Sequence, residues 1–166
     1  IDSDSEYFNL INIARIKNTS IRDEYDTDLY SDDMDYNLVE IIEAELNNYK
    51  KSFALYDFTD MIEKFIGSEL CPKFDVVFID EAQDLSPIQW KMYDIIKQNT
   101  KMMILAGDDD QAIYGWAGAD VKRFQDEPAK EKILPKSYRV PIRVQQVADS
   151  IISQIETRIE KVWEPR

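Results

Sequence analysis

The sequence predicts an α/β fold in which helices flank a parallel sheet, and three observations carry that expectation. The run Val76 to Ile79 is β-branched and aromatic with no polar alternation, as in a central parallel strand buried on both faces. A helical pattern and a second apolar run, Lys101 to Ala106, follow it. Together they make a βαβ unit of roughly thirty residues with the usual right-handed crossover. Asp80 and Glu81 stand directly after the first run, at the carboxyl edge where α/β sheets place ligands.

The elements follow in order. Tyr7, Leu10, Ile11 and Ala14 fall on one helical face. Leu38, Ile41, Ile42 and Tyr49 suggest a second amphipathic helix. Phe58, Met61, Ile62, Phe65 and Ile66 repeat at helical spacing. Asp57 is placed to cap that helix and Gly67 to end it. The strand Asp75 to Ile79 comes next. Ser86, Pro87 and Gln89 form a capping box with proline at the first helical position. They open a helix from Pro87 to Gln98 whose predicted buried stripe is Ile88, Met92, Ile95 and Ile96. After the second strand, a long helix is expected from about Ile142 to Val162. Val144, Val147, Ala148, Ile151, Ile152, Ile155 and Ile159 lie along one side of it.

Composition bounds the partners. Acids number 33 against 20 bases, for a net charge of −13, so unaided binding to a polyanion should be weak. Part of the surplus is local: Asp23 to Tyr36 holds Asp23, Glu24, Asp26, Asp28, Asp32, Asp33 and Asp35. Such a run reads first as a solvated loop and second as a partner-binding arm. The single Cys71 excludes an internal disulfide and suits a reducing cytoplasmic setting. No signal peptide and no membrane-spanning run is present.

Three ordered segments carry a resemblance. Asp80 to Asp84 (DEAQD) resembles the Walker B motif of UvrD/Rep-like superfamily 1 DNA helicases. Leu105 to Ala119 (LAGDDDQAIYGWAGA) resembles their motif III, and Leu134 to Pro141 (LPKSYRVP) their motif IV. Asp57 to Asp60 (DFTD) resembles the helix opening that precedes Walker B. The resemblance implies part of a RecA-like P-loop NTPase domain with a helical segment before it. The implied divisions are 1–52 as the end of an inserted helical subdomain, 53–133 as half of a first RecA-like domain, and 134–166 as the start of a second. It also implies ATP, magnesium, single-stranded DNA and 3′-to-5′ translocation with duplex unwinding.

The same resemblance assigns residues. Asp80 would hold magnesium and Glu81 would activate the attacking water, a division of labour that suits two adjacent carboxylates. Gln83 and Asp84 would link nucleotide state to DNA contacts, although an acid is favoured at a helix N-terminus in any case. Gly107 allows a tight turn after the second strand. Asp108 stands at the nucleotide, and Gln111 resembles the γ-phosphate sensor, since an amide donates and accepts at once. Asp109 reads as a solvated turn residue. Trp116 matches a base-stacking tryptophan, with Tyr114 beside it as either a second platform or a core aromatic. Tyr138 would stack on adenine. Arg139 would reach the γ-phosphate in the manner of an arginine finger. Ala117 stands where the family usually has arginine, which removes a cation next to the DNA platform.

A P-loop needs G-x-x-x-x-G-K-[ST]. None of Gly67, Gly107, Gly115 and Gly118 precedes lysine. With isoleucine as its first residue, the chain reads as an internal helicase fragment that does not hydrolyse ATP alone. A helicase-derived protein-binding module is the second reading. A metal-dependent nuclease built on Asp80, Glu81 and Asp108 is the third, disfavoured because the sequence places no lysine or histidine near those acids. The stripe Val144 to Ile159 would suit self-association through the C-terminal helix.

Overall fold

The structure is a computed structural model that describes residues 5–27, 30, 34–68, 70–155 and 157–164. Four helices come first: α1 (Glu6–Lys17), α2 (Ile21–Tyr25), α3 (Tyr36–Phe53) and α4 (Phe58–Ser68). A strand–helix–strand unit follows, β1 (Phe74–Ile79), α5 (Pro87–Gln98) and β2 (Thr100–Leu105). Helices α6 (Val121–Gln125) and α7 (Ile142–Ile152) complete it.

The helical part packs around α1. Leu10, Ile11 and Ala14 are buried as their spacing predicts, and Leu10 and Ile11 meet Met34, Val39 and Ile42 in a buried apolar cluster. The α3 stripe is corrected. Val39 and Ile42 are buried, both in the first two turns, while Leu38, Ile41 and Tyr49 stay exposed. Ser20 caps α2 by accepting the Asp23 N–H at 3.0 Å, and Asp35 caps α3 by accepting that of Asn37 at 3.0 Å. The acidic run is not wholly solvated either. Glu24 is buried and accepts from Lys17 Nζ at 2.8 Å and from the Tyr30 hydroxyl at 3.2 Å. Asp28, Asp32 and Asp33 lie outside the described residues.

Helix α4 is tied to this body by charge. Asp57 caps it reciprocally: the Asp60 N–H donates to Asp57 Oδ1 at 2.7 Å, and the Asp57 N–H donates to Asp60 Oδ2 at 2.9 Å. Arg15 of α1 reaches Asp57 at 2.8 Å, Asp60 at 2.6 Å and Glu63 at 2.9 Å. Lys50 of α3 reaches Asp57 at 3.0 Å and Asp60 at 2.8 Å. Gly67 does not end α4, which runs on to Ser68.

Strands β1 and β2 pair in parallel, with Val76 opposite Met102 and Phe78 opposite Ile104. The unit forms as predicted, but burial on both faces does not. Phe74, Val76, Phe78, Met102 and Ile104 share one face and all are exposed. The other face is half-buried under α5. That helix starts with Pro87, and the Ser86 N–H donates to Gln89 Oε1 at 2.9 Å. Its buried residues are Ile88, Trp90 and Tyr93, with Met92, Ile95 and Ile96 only half-buried. The stripe shifts because α5 meets α1 and α4 as well as β2. On its flank Trp90 lies under the Arg123 guanidinium at 5.1 Å, and the Tyr93 hydroxyl donates to Glu127 at 2.8 Å.

The long C-terminal helix is also corrected. It stops at Ile152 rather than Val162. Residues 157–164 instead run back across the molecule, where Glu164 bridges Lys136 and three groups grip the turn after β2. Those polar bonds are made by Arg158, the Ile159 N–H and Lys161, which a helical path would carry away from the turn. Ile142, Val144, Val147 and Ile151 of α7 are exposed. Among the described residues no helix is long and apolar enough to cross a membrane. The chain exposes 12073 Å², against about 8500 Å² for a compact protein of its mass. The bare sheet face and the α7 stripe account for part of that excess.

The Arg15 joint gives a pH test. Burial alone would raise the Asp57 carboxyl. Hydrogen bonds from Arg15, the Asp60 amide and Lys50 together outweigh it and hold Asp57 well below the usual carboxylate range, with Asp60 lowered in the same way. A carboxyl depressed in the folded state stabilises above its unfolded value of about 3.9 and loses that contribution as pH falls below it. Urea midpoints measured from pH 6 downward should therefore fall most steeply below about pH 4. Arg15→Met should cost about 1–3 kcal/mol at neutral pH, read as a lower urea midpoint, and flatten the acid limb. An unchanged acid limb in that variant would show that the joint does not carry the pH dependence.

Candidate functional site

The backbone brings two loops together. At the carboxyl ends of the strands, the Ala106 N–H donates to the Ile79 carbonyl at 2.8 Å and the Ala82 N–H to the Ala106 carbonyl at 2.9 Å. The ladder thus continues one step into the loops that follow β1 and β2. Glu81 sits in that step with φ +52°, a left-handed conformation that costs a non-glycine residue of order 1–3 kcal/mol. Strain of this kind persists where surrounding bonds fix the residue, here the two backbone bonds on either side.

Side chains complete the junction. Gln83 is buried to 1 % exposure. Its Nε2 donates to Glu81 Oε2 at 2.8 Å and to Asp84 Oδ2 at 3.3 Å, and its Oε1 accepts the Asp108 N–H at 3.0 Å. Asp108 Oδ2 in turn accepts from Gln111 Nε2 at 2.7 Å. One chain of hydrogen bonds thus runs Glu81–Gln83–Asp108–Gln111 across both strand ends. Asp80 stands outside it. Among the described residues that exposed carboxylate accepts only the Glu81 N–H, at 3.0 Å, which leaves oxygen lone pairs that could take a hydrated cation.

Gly107 is required by space. A Cβ there would lie 2.7 Å from Gln83 Oε1 and 2.8 Å from the Phe124 ring. The turn role expected of it is not what fixes this residue; the close approach of Gln83 is.

The three acids after Gly107 are not free. Lys161 Nζ reaches Asp108 Oδ1 at 2.5 Å and also contacts Asp109. Arg158 grips Asp110 with two bonds at 2.7 and 2.6 Å. Asp109 also accepts from the Ile159 N–H at 2.7 Å and from Gln125 Nε2 at 2.8 Å. Asp109 is therefore buried rather than solvated. Burial would raise the Asp108 and Asp109 carboxyls, but the hydrogen bonds from Lys161 and the turn lower both. Burial pulls Lys161 down, and its bonds to Asp108 and Asp109 raise it. Two cations face three carboxylates whose oxygens lie within 4.8 Å of one another, so most of the charge of this cluster is already offset by protein groups.

A cleft of about 540 Å³ opens beside the turn. Asp108, Asp110 and Gln111 face Arg139, Val144 and Gln145 across it. Arg139 thus stands at the same cleft as Gln111. Tyr138 is exposed beside Lys136, whose ammonium lies 5.3 Å from its ring, and does not line the cleft.

The aromatic pair lies elsewhere. Trp116 is 79 % exposed and Tyr114 47 %, with ring centroids 6.5 Å apart. The core alternative for Tyr114 is excluded by that exposure. Gly118, at φ +94° and placed so that an added Cβ would lie 3.0 Å from Ile16 Cγ2, closes the turn that presents Trp116. Tyr114, Ala117 and Asp84 line a cavity of about 370 Å³, and Asp84 Oδ1 is buried there without a hydrogen-bond partner.

Sequence reasoning missed Lys161 and Arg158. Both were counted within a helix, and neither carries a local signal that it reaches a turn fifty residues earlier. The argument against a nuclease from the lack of a nearby lysine does not stand, since Lys161 contacts Asp108. That lysine neutralises the acid, however, and so leaves it no freer for a metal.

A parallel strand–helix–strand unit with carboxylates and amides bonded across its carboxyl edge defines a class, an α/β arrangement of the kind that takes ligands at that edge. Residues 4–132 match the UvrD/REP helicase N-terminal domain family. The chain belongs to that family. It is 32 % identical over 121 residues to the ATP-dependent DNA helicase Rep of Buchnera aphidicola, covering 64 % of this chain and 18 % of that one. It is 34 % identical over 97 residues to DNA helicase II of Escherichia coli, covering 55 % and 14 %. It is 31 % identical over 129 residues to the putative ATP-dependent DNA helicase YjcD of Bacillus subtilis, covering 69 % and 17 %. The chain therefore spans less than a fifth of the length of each of these relatives.

Substituting Gly107→Ala tests the junction. It should destabilise the chain by about 1–3 kcal/mol through overpacking, read as a lower urea midpoint. A midpoint equal to that of the parent chain would show that the Gln83 approach is not close.

Proposed function

We propose that this chain carries the water-activating and phosphate-sensing part of an ATP-dependent DNA helicase motor, within a RecA-like domain. The observation that carries the reading is the bonded chain Glu81–Gln83–Asp108–Gln111. A residue that would polarise water and an amide that would sense a phosphate share one hydrogen-bonded path. Asp80, with its free oxygens, would hold magnesium, which supplies charge neutralisation at a transferring phosphoryl group. Glu81, held by Gln83 and by its strained backbone, would accept a proton from the attacking water. Gln111 and Arg139, on the two sides of the cleft, would meet the terminal phosphate, and Tyr138 would take the adenine. Residues 53–133 would belong to the first RecA-like domain, 134–166 to the second, and 1–52 to an inserted helical subdomain.

Nothing in the sequence provides a G-x-x-x-x-G-K cradle, so the α- and β-phosphates would be held by a P-loop outside these residues. Single-stranded DNA would stack on Trp116 and Tyr114, whose exposure leaves a ring face open to a base. Polarity of translocation, 3′ to 5′, follows from resemblance to the family.

Two measurements test this. The chain with magnesium, ATP and single-stranded DNA should show no turnover. Turnover abolished by Glu81→Gln would contradict the reading, because it would require a cradle within the chain. Binding to a fluorescent oligonucleotide should be weak, fall with salt as counterion release dictates, and lose about 1–3 kcal/mol in Trp116→Ala. Affinity that survives that substitution would remove the stacking role.

A further inference from the structure

Asp108 is a junction with every group engaged. Its N–H is held by Gln83, its Oδ2 by Gln111, and its Oδ1 by Lys161 and the Asp110 N–H at 3.2 Å. Lys161 is buried, with 8 % of its side chain exposed, and its ammonium is shared among Asp108, Asp109 and Asp110 at up to 3.4 Å. Arg158 touches only Asp110 of these acids. Without the ammonium, Asp108 and Asp109 would be adjacent, partly buried and mutually repelling. One route of relief is for Asp108 to turn outward, and that movement would carry Gln111 with it. A compact ammonium suits three converging oxygens better than a planar fork does.

We propose that Lys161 is a positioning residue of this site: by pinning Asp108 it fixes where Gln111 points in the cleft, and through Gln83 it steadies Glu81. The role in nucleotide sensing rests on the function proposed above; the pinning itself does not. Lys161 lies in the segment after α7, whereas Glu81 and Gln111 follow the strands. It is thus a direct polar tie between the end of the chain and the sheet edge, one that would report the placement of one part to the other.

The side-chain amide signals of Gln111 and Gln83 in the isotope-labelled 166-residue chain decide between the outcomes. Lys161→Met should shift or broaden both, while Arg158→Met should leave both in place and disturb only the Asp110 region. Unmoved glutamine signals in Lys161→Met would overturn the proposal, as would an equal effect from Arg158→Met. Should Lys161→Met not fold, the unaltered chain still answers. Its Lys161 ammonium protons should exchange with water more slowly than those of exposed Lys101, and equal rates would overturn the proposal.

Discussion

A buried primary amide with three bonds is the constraint on which this site depends. Gln83 lies at 1 % exposure, where a polar group without partners costs about 1–3 kcal/mol. It avoids that cost only by standing between the Glu81 side chain and the Asp108 backbone. This placement demands that β1 and β2 be neighbours and parallel, so that both loops leave the same edge. It demands a glycine at 107, because any Cβ would occupy the space of the amide. It also ties down the side chain of Glu81, whose backbone is left-handed.

Charge is the second organising force. The surplus of acids does not spread evenly; it gathers into clusters, each held by cations of which at least one comes from a distant segment. Arg15 and Lys50 hold Asp57, Asp60 and Glu63. Lys97 and Arg123 hold the buried Glu127, whose carboxyl stays low because those bonds outweigh its burial. Lys161 and Arg158 hold the turn after β2. Two of the three joints keep more carboxylates than cations, so the ties form without erasing the negative surface. Under the function proposed above, DNA would meet this chain through exposed aromatic rings. Ala117 offers no positive charge beside Trp116.

The strand–helix–strand unit was legible because its signals are local: an apolar run, a capping box and a second run. The same holds for the placement of Glu81, Asp108 and Gln111 at one edge, since two parallel strands must end together. Burial was less legible. Phe74, Val76 and Phe78 have the composition of a doubly covered strand, yet no described residue covers that face, so composition overstated burial. The segment after Ile152 was misread for a related reason. Ile155 and Ile159 keep helical spacing, but the bonds of Arg158 and Lys161 to acids fifty residues away outweigh a periodicity that has no surface to pack on. Long-range polar ties leave no trace in spacing.

Hydrogen exchange at the Asp108 amide tests the central claim most directly. That N–H is bonded to Gln83 Oε1 and to no strand. If Gln83 is the bridge, Gln83→Leu should speed its exchange by roughly 5- to 150-fold, the equivalent of about 1–3 kcal/mol of lost protection. The Phe78 amide within the ladder should stay protected. An Asp108 amide that exchanges equally fast in both proteins would mean that the two loops are held together by something other than Gln83.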